Sequence, residues 1–122
     1  MDVLDTDALM AGCVFCRIAA GEIPATVVHR DEQVIAIEDL NPQAPTHLLV
    51  LPVEHHDGIV EVSNANGPAL KRLIDVASKL GRERGGEAGF RLVINAGPNG
   101  GQTVGHVHVH VLAGRRMAWP PG

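Results

Sequence analysis

The sequence predicts an α+β fold: about five short strands in an antiparallel sheet, one main α-helix packed on it, and a short N-terminal helix. Three observations carry this. Short β-rich runs recur between turn residues from Thr26 to Leu112. One stretch, Pro68 to Arg84, spaces its apolar residues for a helix. The 122 residues are 45 % apolar, enough for one buried core.

Met1 to Gly12 reads as a flexible, acidic tail without the basic start of a secretory leader, and residues 13–122 as one domain. Cys13 to Ala20 reads as a short helix, closed by Gly21 and a turn at Ile23-Pro24. Thr26–Arg30 and Gln33–Glu38 are β-rich and flank Asp31-Glu32, so they read as a hairpin. Asp39–Thr46 is a proline-bearing loop, and His47–Leu51 a short apolar strand ended by Pro52. In the main helix Pro68 suits a first position, and Leu70, Leu73, Ile74, Ala77 and Leu80 form one stripe. Gly85-Gly86 stops it. Phe90–Asn95 is a fourth strand, a loop follows over Ala96–Thr103, and Val104–Leu112 is the fifth. One option for that last strand is a sheet edge, where it could pair with a second copy. The tail from Arg115 carries Trp119 and Pro120-Pro121.

Composition narrows the function. A net charge of −4 argues against a nucleic-acid footprint, which needs a basic face. It leaves room for a single nucleotide, whose phosphate backbone N–H groups can hold. No apolar run is long enough to span a membrane. Cys13 and Cys16 are the only cysteines, too few for a disulfide framework, and a cytoplasmic location is expected.

The main anomaly is His106-Val107-His108-Val109-His110. Side chains alternate along a strand, so the three imidazoles share one face at about 6.7 Å spacing, with the valines on the other. Burying three imidazoles without partners is costly, so this face is expected to open onto solvent, ligand or metal. It reads as a solvated face, a zinc site, or a site of nucleophilic and acid–base chemistry. The preceding loop favours the last. Gly97, Gly100, Gly101 and Gly105 let backbone N–H groups approach an anion, and Gln102 and Thr103 add neutral donors. A neutral imidazole can attack phosphorus if its other nitrogen keeps its proton, donating a hydrogen bond to an acceptor such as a backbone carbonyl. His108, flanked on both sides, is the best nucleophile.

His106-Val107-His108-Val109-His110-Val111-Leu112 is similar to the signature of the histidine-triad (HIT) proteins. Glu22-Ile23-Pro24-Ala25, Asn41-Pro42-Gln43-Ala44-Pro45-Thr46-His47, Gly100-Gly101-Gln102-Thr103-Val104 and the ending from Gly114 to Gly122 resemble the Hint branch. The resemblance covers about residue 13 to the C-terminus and implies a HIT-like fold. It also implies a homodimeric purine nucleoside phosphoramidase, acting on adenosine phosphoramidates and releasing AMP. A nucleotidyl-histidine would form on His108. His110 would contact the phosphate and leaving group, and His106 and His47 would support the nucleophile. Asp39 matches a ribose-binding carboxylate. Phe15, Ile18, Ile37 and Leu40 match the nucleobase pocket, and Asn95, Gly101 and Thr103 phosphate-side contacts. Trp119 matches a tail residue that approaches the partner subunit's site. From local sequence alone, Ile18, Ile37 and Leu40 read equally as core, Asp39 as a turn residue, Asn95 as a strand terminator and Trp119 as interface cover. His29 and His56 read as surface residues. Gly105 and Ala118 depart from some relatives, which puts leaving-group preference in doubt more than the reaction.

Cys13-x-x-Cys16 reads as reduced thiols, a redox pair or half a zinc site. The resemblance adds that some bacterial relatives complete a structural zinc site with two histidines, here His55 and His106. No cofactor is expected to be required for catalysis. Dinucleoside polyphosphate hydrolysis, and a nucleotide-binding module with incidental turnover, are the competing functions.

Overall fold

The computed structural model describes residues 12–122, so the expected tail lies almost wholly outside the described residues. In chain order the elements are α1 (Val14–Ala19), β1 (Val27–Arg30), β2 (Val34–Glu38), β3 (Thr46–Pro52) and α2 (Ile59–Ala65). They continue with α3 (Gly67–Gly85), a 3₁₀ turn at Gly86–Ala88, β4 (Phe90–Val93) and β5 (Val109–Ala113). The five strands form one sheet in the order β1-β2-β3-β5-β4, every neighbouring pair antiparallel.

Local chemistry explains most of these elements. Asp31 builds the β1–β2 turn: its Oδ1 accepts the backbone N–H groups of Gln33 and Val34, each at 2.8 Å. Its Oδ2 lies 2.7 Å from both His29 Nε2 and Arg72 of α3, tying hairpin to helix. Burial alone would raise the Asp31 pKa, but these four hydrogen bonds outweigh it and hold the carboxyl well below its usual range. His29 is thus half-buried in a network rather than the surface residue expected. Asn66 caps α3 by accepting the Ala69 N–H, and Gly86, at φ +58°, ends it. A Cβ at Gly81 would collide with the Phe90 ring, so glycine there lets α3 lie close to β4.

Both faces of the sheet are covered. On one, Val34, Ala36, Leu48, Val50, Val109 and Val111 pack against Leu73, Val76, Ala77 and Leu80 of α3. On the other, Ile35, Ile37, Leu49 and Leu51 pack against Cys13, Phe15, Cys16 and Ala19 of the α1 segment. Double coverage explains why β2 and β3 read as unbroken apolar runs rather than alternating ones.

Four expectations are corrected. The last strand is interior, because it pairs with β3 on one side and β4 on the other; β1 and β4 are the edges. It starts at Val109, not Val104. Pro52 has no N–H to offer opposite it, its carbonyl is taken by the His106 side chain, and Val107 N–H bonds His56 O at 2.8 Å instead. Helix α2 was not expected, since Ile59, Val60 and Val62 favour strands and Gly58 gives no side-chain cap. The fourth strand is also shorter, ending at Val93. No described helix is long and apolar enough to cross a membrane.

Candidate active site

Each histidine of the triad has a partner that sets its tautomer. His106 Nε2 lies 2.8 Å from Pro52 O, and a carbonyl only accepts, so Nε2 carries the proton and Nδ1 the lone pair. His108 Nδ1 donates to His106 O at 2.8 Å, which leaves the Nε2 lone pair free. His47 Nδ1 accepts the Gln43 backbone N–H at 3.0 Å, so His47 carries its proton on Nε2. That proton is donated to His110 Nδ1 at 2.9 Å, so His110 keeps its own proton on Nε2. The His108 and His110 rings are neighbours, with centroids 5.1 Å apart. A free lone pair thus stands beside a ring with an N–H to give.

The triad face is largely closed to solvent, and its His106 end faces two cysteine sulfurs instead. His106 is fully buried and His108 nearly so. Phe15 of α1 covers both, edge-on, with centroid distances of 5.9 and 5.0 Å. Burial is tolerated because every tautomer is satisfied by a hydrogen bond. It has an electrostatic result. Burial, assisted by His55, His108 and His56, pushes His106 down to about 4 against the Pro52 hydrogen bond. Burial, then the charges His108 and His47 can carry, push His110 down to about 4 against Asp39. Burial lowers His47 as well, with Asp39 opposing. His110 is a neutral donor at neutral pH; a phosphate beside it would supply the opposite charge that raises its proton affinity.

Asp39 fulfils the local reading and more. Its Oδ1 accepts the Asn41 N–H at 2.8 Å, a turn contact, while its Oδ2 lies 3.4 Å from His47 Nε2. Donor atoms of Asp39, His47 and His110 fall within 4.8 Å of one another, which would suit a metal. The tautomer argues against one: the Gln43 N–H occupies His47 Nδ1, so Nε2 must stay protonated. Of the expected base-pocket residues, Phe15, Ile18 and Ile37 come together in one cluster. Leu40 does not join them; at 98 % exposure it stands in solvent, as does Trp119 at 83 %.

The glycine loop spends its amides on itself. Asn95 Nδ2 donates to Gly100 O at 2.7 Å. Gln102 Nε2 donates to Asp57 O and Val104 O, and its Oε1 accepts the Gly97 N–H. Both side chains, expected to face phosphate, are loop braces here. Gly97 and Gly101 have φ of +72° and +82°, which glycine adopts without strain. Gly101 and Thr103 remain exposed. Behind the loop lies a cleft of about 460 Å³ lined by Gly97, Gln102, Thr103, Gly105, Asp57 and Glu61, and no triad histidine lines it.

Cys13, Cys16, His55 and His106 meet at the α1 end of the triad, all four donor atoms within 4.8 Å of one another. Cys13 Sγ is 3.3 Å from His106 Nδ1, and Cys16 Sγ 3.1 Å from His55 Nδ1. The remaining nitrogens are anchored, His55 Nε2 on Asp57 Oδ1 at 2.8 Å and His106 Nε2 on Pro52 O. Two sulfurs and two anchored imidazoles fit a tetrahedral zinc. Burial, then Cys13, push the Cys16 thiol up to about 12; a coordinated cation would reverse this and hold the thiolate. His56, expected at the surface, is half-buried, its Nε2 2.7 Å from Glu54 Oε1 but poorly aligned with it.

Sequence reasoning missed the Gln43 N–H, the Pro52 carbonyl and Asp57. The first two are backbone groups that carry no residue-type signal. Asp57, two residues after His55, was visible as an acid near a ligand.

A HIT domain model matches residues 20–117. A 14 kDa zinc-binding protein of Zea mays is 47 % identical over 112 residues, 89 % of this chain and 87 % of that one. Adenylylsulfatase HINT1 of Arabidopsis thaliana is 44 % identical, covering 89 % of this chain and 76 % of its own. The crystal structure of a HIT family hydrolase from Legionella pneumophila Philadelphia 1 superposes with a TM-score of 0.86 at 49 % identity, covering 90 % of this chain and 99 % of that one. The triad that leads into β5, the sheet it joins and these matches together place the chain in the histidine-triad family.

Proposed function

We propose that the protein hydrolyses purine nucleoside phosphoramidates, with adenosine 5′-phosphoramidates as the model substrates, through a nucleotidyl intermediate on His108. The observation that carries this reading is the His108 tautomer: Nδ1–H is fixed on the His106 carbonyl, so Nε2 is a nucleophile in waiting. In the first step His108 Nε2 forms a bond to phosphorus and the phosphorus–nitrogen bond to the leaving amine breaks. His110 Nε2–H is positioned to give that amine its proton. In the second, water attacks phosphorus, the bond to His108 breaks, and the nucleoside monophosphate leaves. The water proton goes to His110, which restores the starting state. The Legionella structure, that of a HIT family hydrolase, and the name adenylylsulfatase for the Arabidopsis relative support hydrolysis at a nucleotide phosphorus.

Asp39 is the proposed ribose contact, and Phe15, Ile18 and Ile37 the proposed base wall. Zinc is the proposed occupant of the Cys13, Cys16, His55, His106 set; where bound, it would clamp α1 to the triad strand and take no part in the chemistry. A homodimer is proposed because β4 is an unpaired edge and Leu40 and Trp119 stand uncovered in one chain. The test of the reaction is His108→Asn. It should keep the fold and lose hydrolysis of an adenosine phosphoramidate by roughly a thousandfold or more. Near-wild-type turnover in a folded His108→Asn protein would refute the mechanism.

A further inference from the structure

The hydrogen bonds that set the His110 tautomer do not stop at His47. Gln43, whose N–H fixes His47, accepts a hydrogen bond on its own carbonyl from Arg115 Nε at 2.9 Å. Arg115 also donates to Arg116 O at 3.2 Å, which steadies the guanidinium. The residue before it, Gly114, has φ +95°, and a Cβ there would meet Pro45 Cβ at 2.8 Å. The chain leaving β5 therefore lies directly on the loop between β2 and β3. The first half of that loop is held locally, by Asn41 N–H on Asp39 Oδ1 and Gln43 Nε2 on Asn41 O at 3.0 Å. The second half meets the Gly114-Arg115 segment.

We propose that Arg115 is a positioning residue for catalysis, holding Gln43 so that His47 keeps its proton on Nε2 and His110 keeps its own on Nε2. The physical argument is that the neutral imidazole tautomers are selected by whatever bonds the opposite nitrogen. Here the selector for His47 is one backbone N–H, and a loop amide is only as well placed as the loop. If Gln43 drifts, His47 can move its proton to Nδ1 and accept on Nε2 from His110. His110 would then present a bare Nε2 to the leaving group, with no proton to give. Arg115 is exposed and touches neither the triad nor Asp39 in the hydrogen-bond pattern, so its effect must travel through Gln43.

The rate arm of the test rests on the phosphoramidase reading; the spectroscopic arm does not. The full chain, labelled with ¹⁵N at histidine, is compared with Arg115→Met by imidazole ¹⁵N–¹H correlation without substrate. The wild type should show His47 and His110 both protonated at Nε2 and bare at Nδ1. Arg115→Met should shift both rings toward the other tautomer while His108 stays protonated at Nδ1. With an adenosine phosphoramidate, kcat should fall about tenfold, part of what a general acid contributes, and KM should change less than about twofold. An unchanged imidazole spectrum overturns the inference whatever the rate does. A shifted spectrum with undiminished kcat overturns the claim that the tautomer matters to catalysis. If the wild type fails to cleave phosphoramidates, the spectrum alone decides the positioning role, and the two readings fail separately.

Discussion

At the scale of single residues, each imidazole of the site has one nitrogen committed to a partner that sets its tautomer, and His108 and His110 each keep the other free. Pro52 O commits His106, His106 O commits His108, and Gln43 N–H commits His47. These contacts also explain how the triad stays buried without charge. His110, pushed down to about 4 by burial first and its neighbours second, gives a stability signature. Its pKa is lowered on folding, so the unfolded chain takes up the proton first. The contribution to stability is therefore complete above about pH 6.5, the ordinary histidine value, and is lost as pH falls toward 4. His110→Gln, which cannot titrate, should show a shallower fall in Tm between pH 6.5 and 4 than the wild type. Parallel Tm profiles would show that His110 is not buried neutral.

At the scale of elements, α1 is the one most closely tied to the site. Six residues long, too short to persist alone, it brings Cys13, Phe15 and Cys16 onto the triad side of the sheet. Cys13 Sγ accepts the Cys16 N–H at 3.4 Å as its cap, and Arg30 of β1 holds the Ala19 carbonyl at its end. If zinc occupies the four-residue set, removing it with a chelator should lower Tm and release α1, read as faster amide exchange over residues 14–19. Cys13→Ala should do the same and drop the bound metal. Protein purified without added zinc that holds no metal, or whose α1 exchange ignores the chelator, would contradict this role.

Legibility in the sequence followed the same division. The triad, the apolar stripe of α3 and the hairpin at Asp31 were readable because side-chain type and spacing make them. The place of β5 inside the sheet was not, because side-chain type along a strand does not show which strands pair with its two edges. Helix α2 was hidden by β-branched residues whose helical state comes from packing Val62 into the core. Gln102 looked like a phosphate donor because an amide's composition does not reveal that Gly97, Val104 and Asp57 already use it.

At the scale of the molecule, the proposed dimer rests on what one chain leaves uncovered. Phe15, Ile18 and Ile37, the proposed base wall, share one cluster, yet Leu40 and Trp119 remain in water and the β4 edge is unpaired. Large exposed apolar side chains and an unpaired strand edge are what a second copy would cover. Sedimentation equilibrium at micromolar concentration should return twice the 12.9 kDa mass of one chain. A monomer at these concentrations would contradict the dimer and leave Trp119 without a role in the site.

The central claim is that His108 Nε2 becomes covalently attached to phosphorus. The most direct measurement is a quenched reaction with an adenosine phosphoramidate labelled at phosphorus, followed by peptide mapping in mild base, where a phosphorus–nitrogen bond survives. The account predicts label on His108 during turnover and none in His108→Asn. Label on another residue, or steady hydrolysis with no labelled peptide and undiminished rate in His108→Asn, would contradict it.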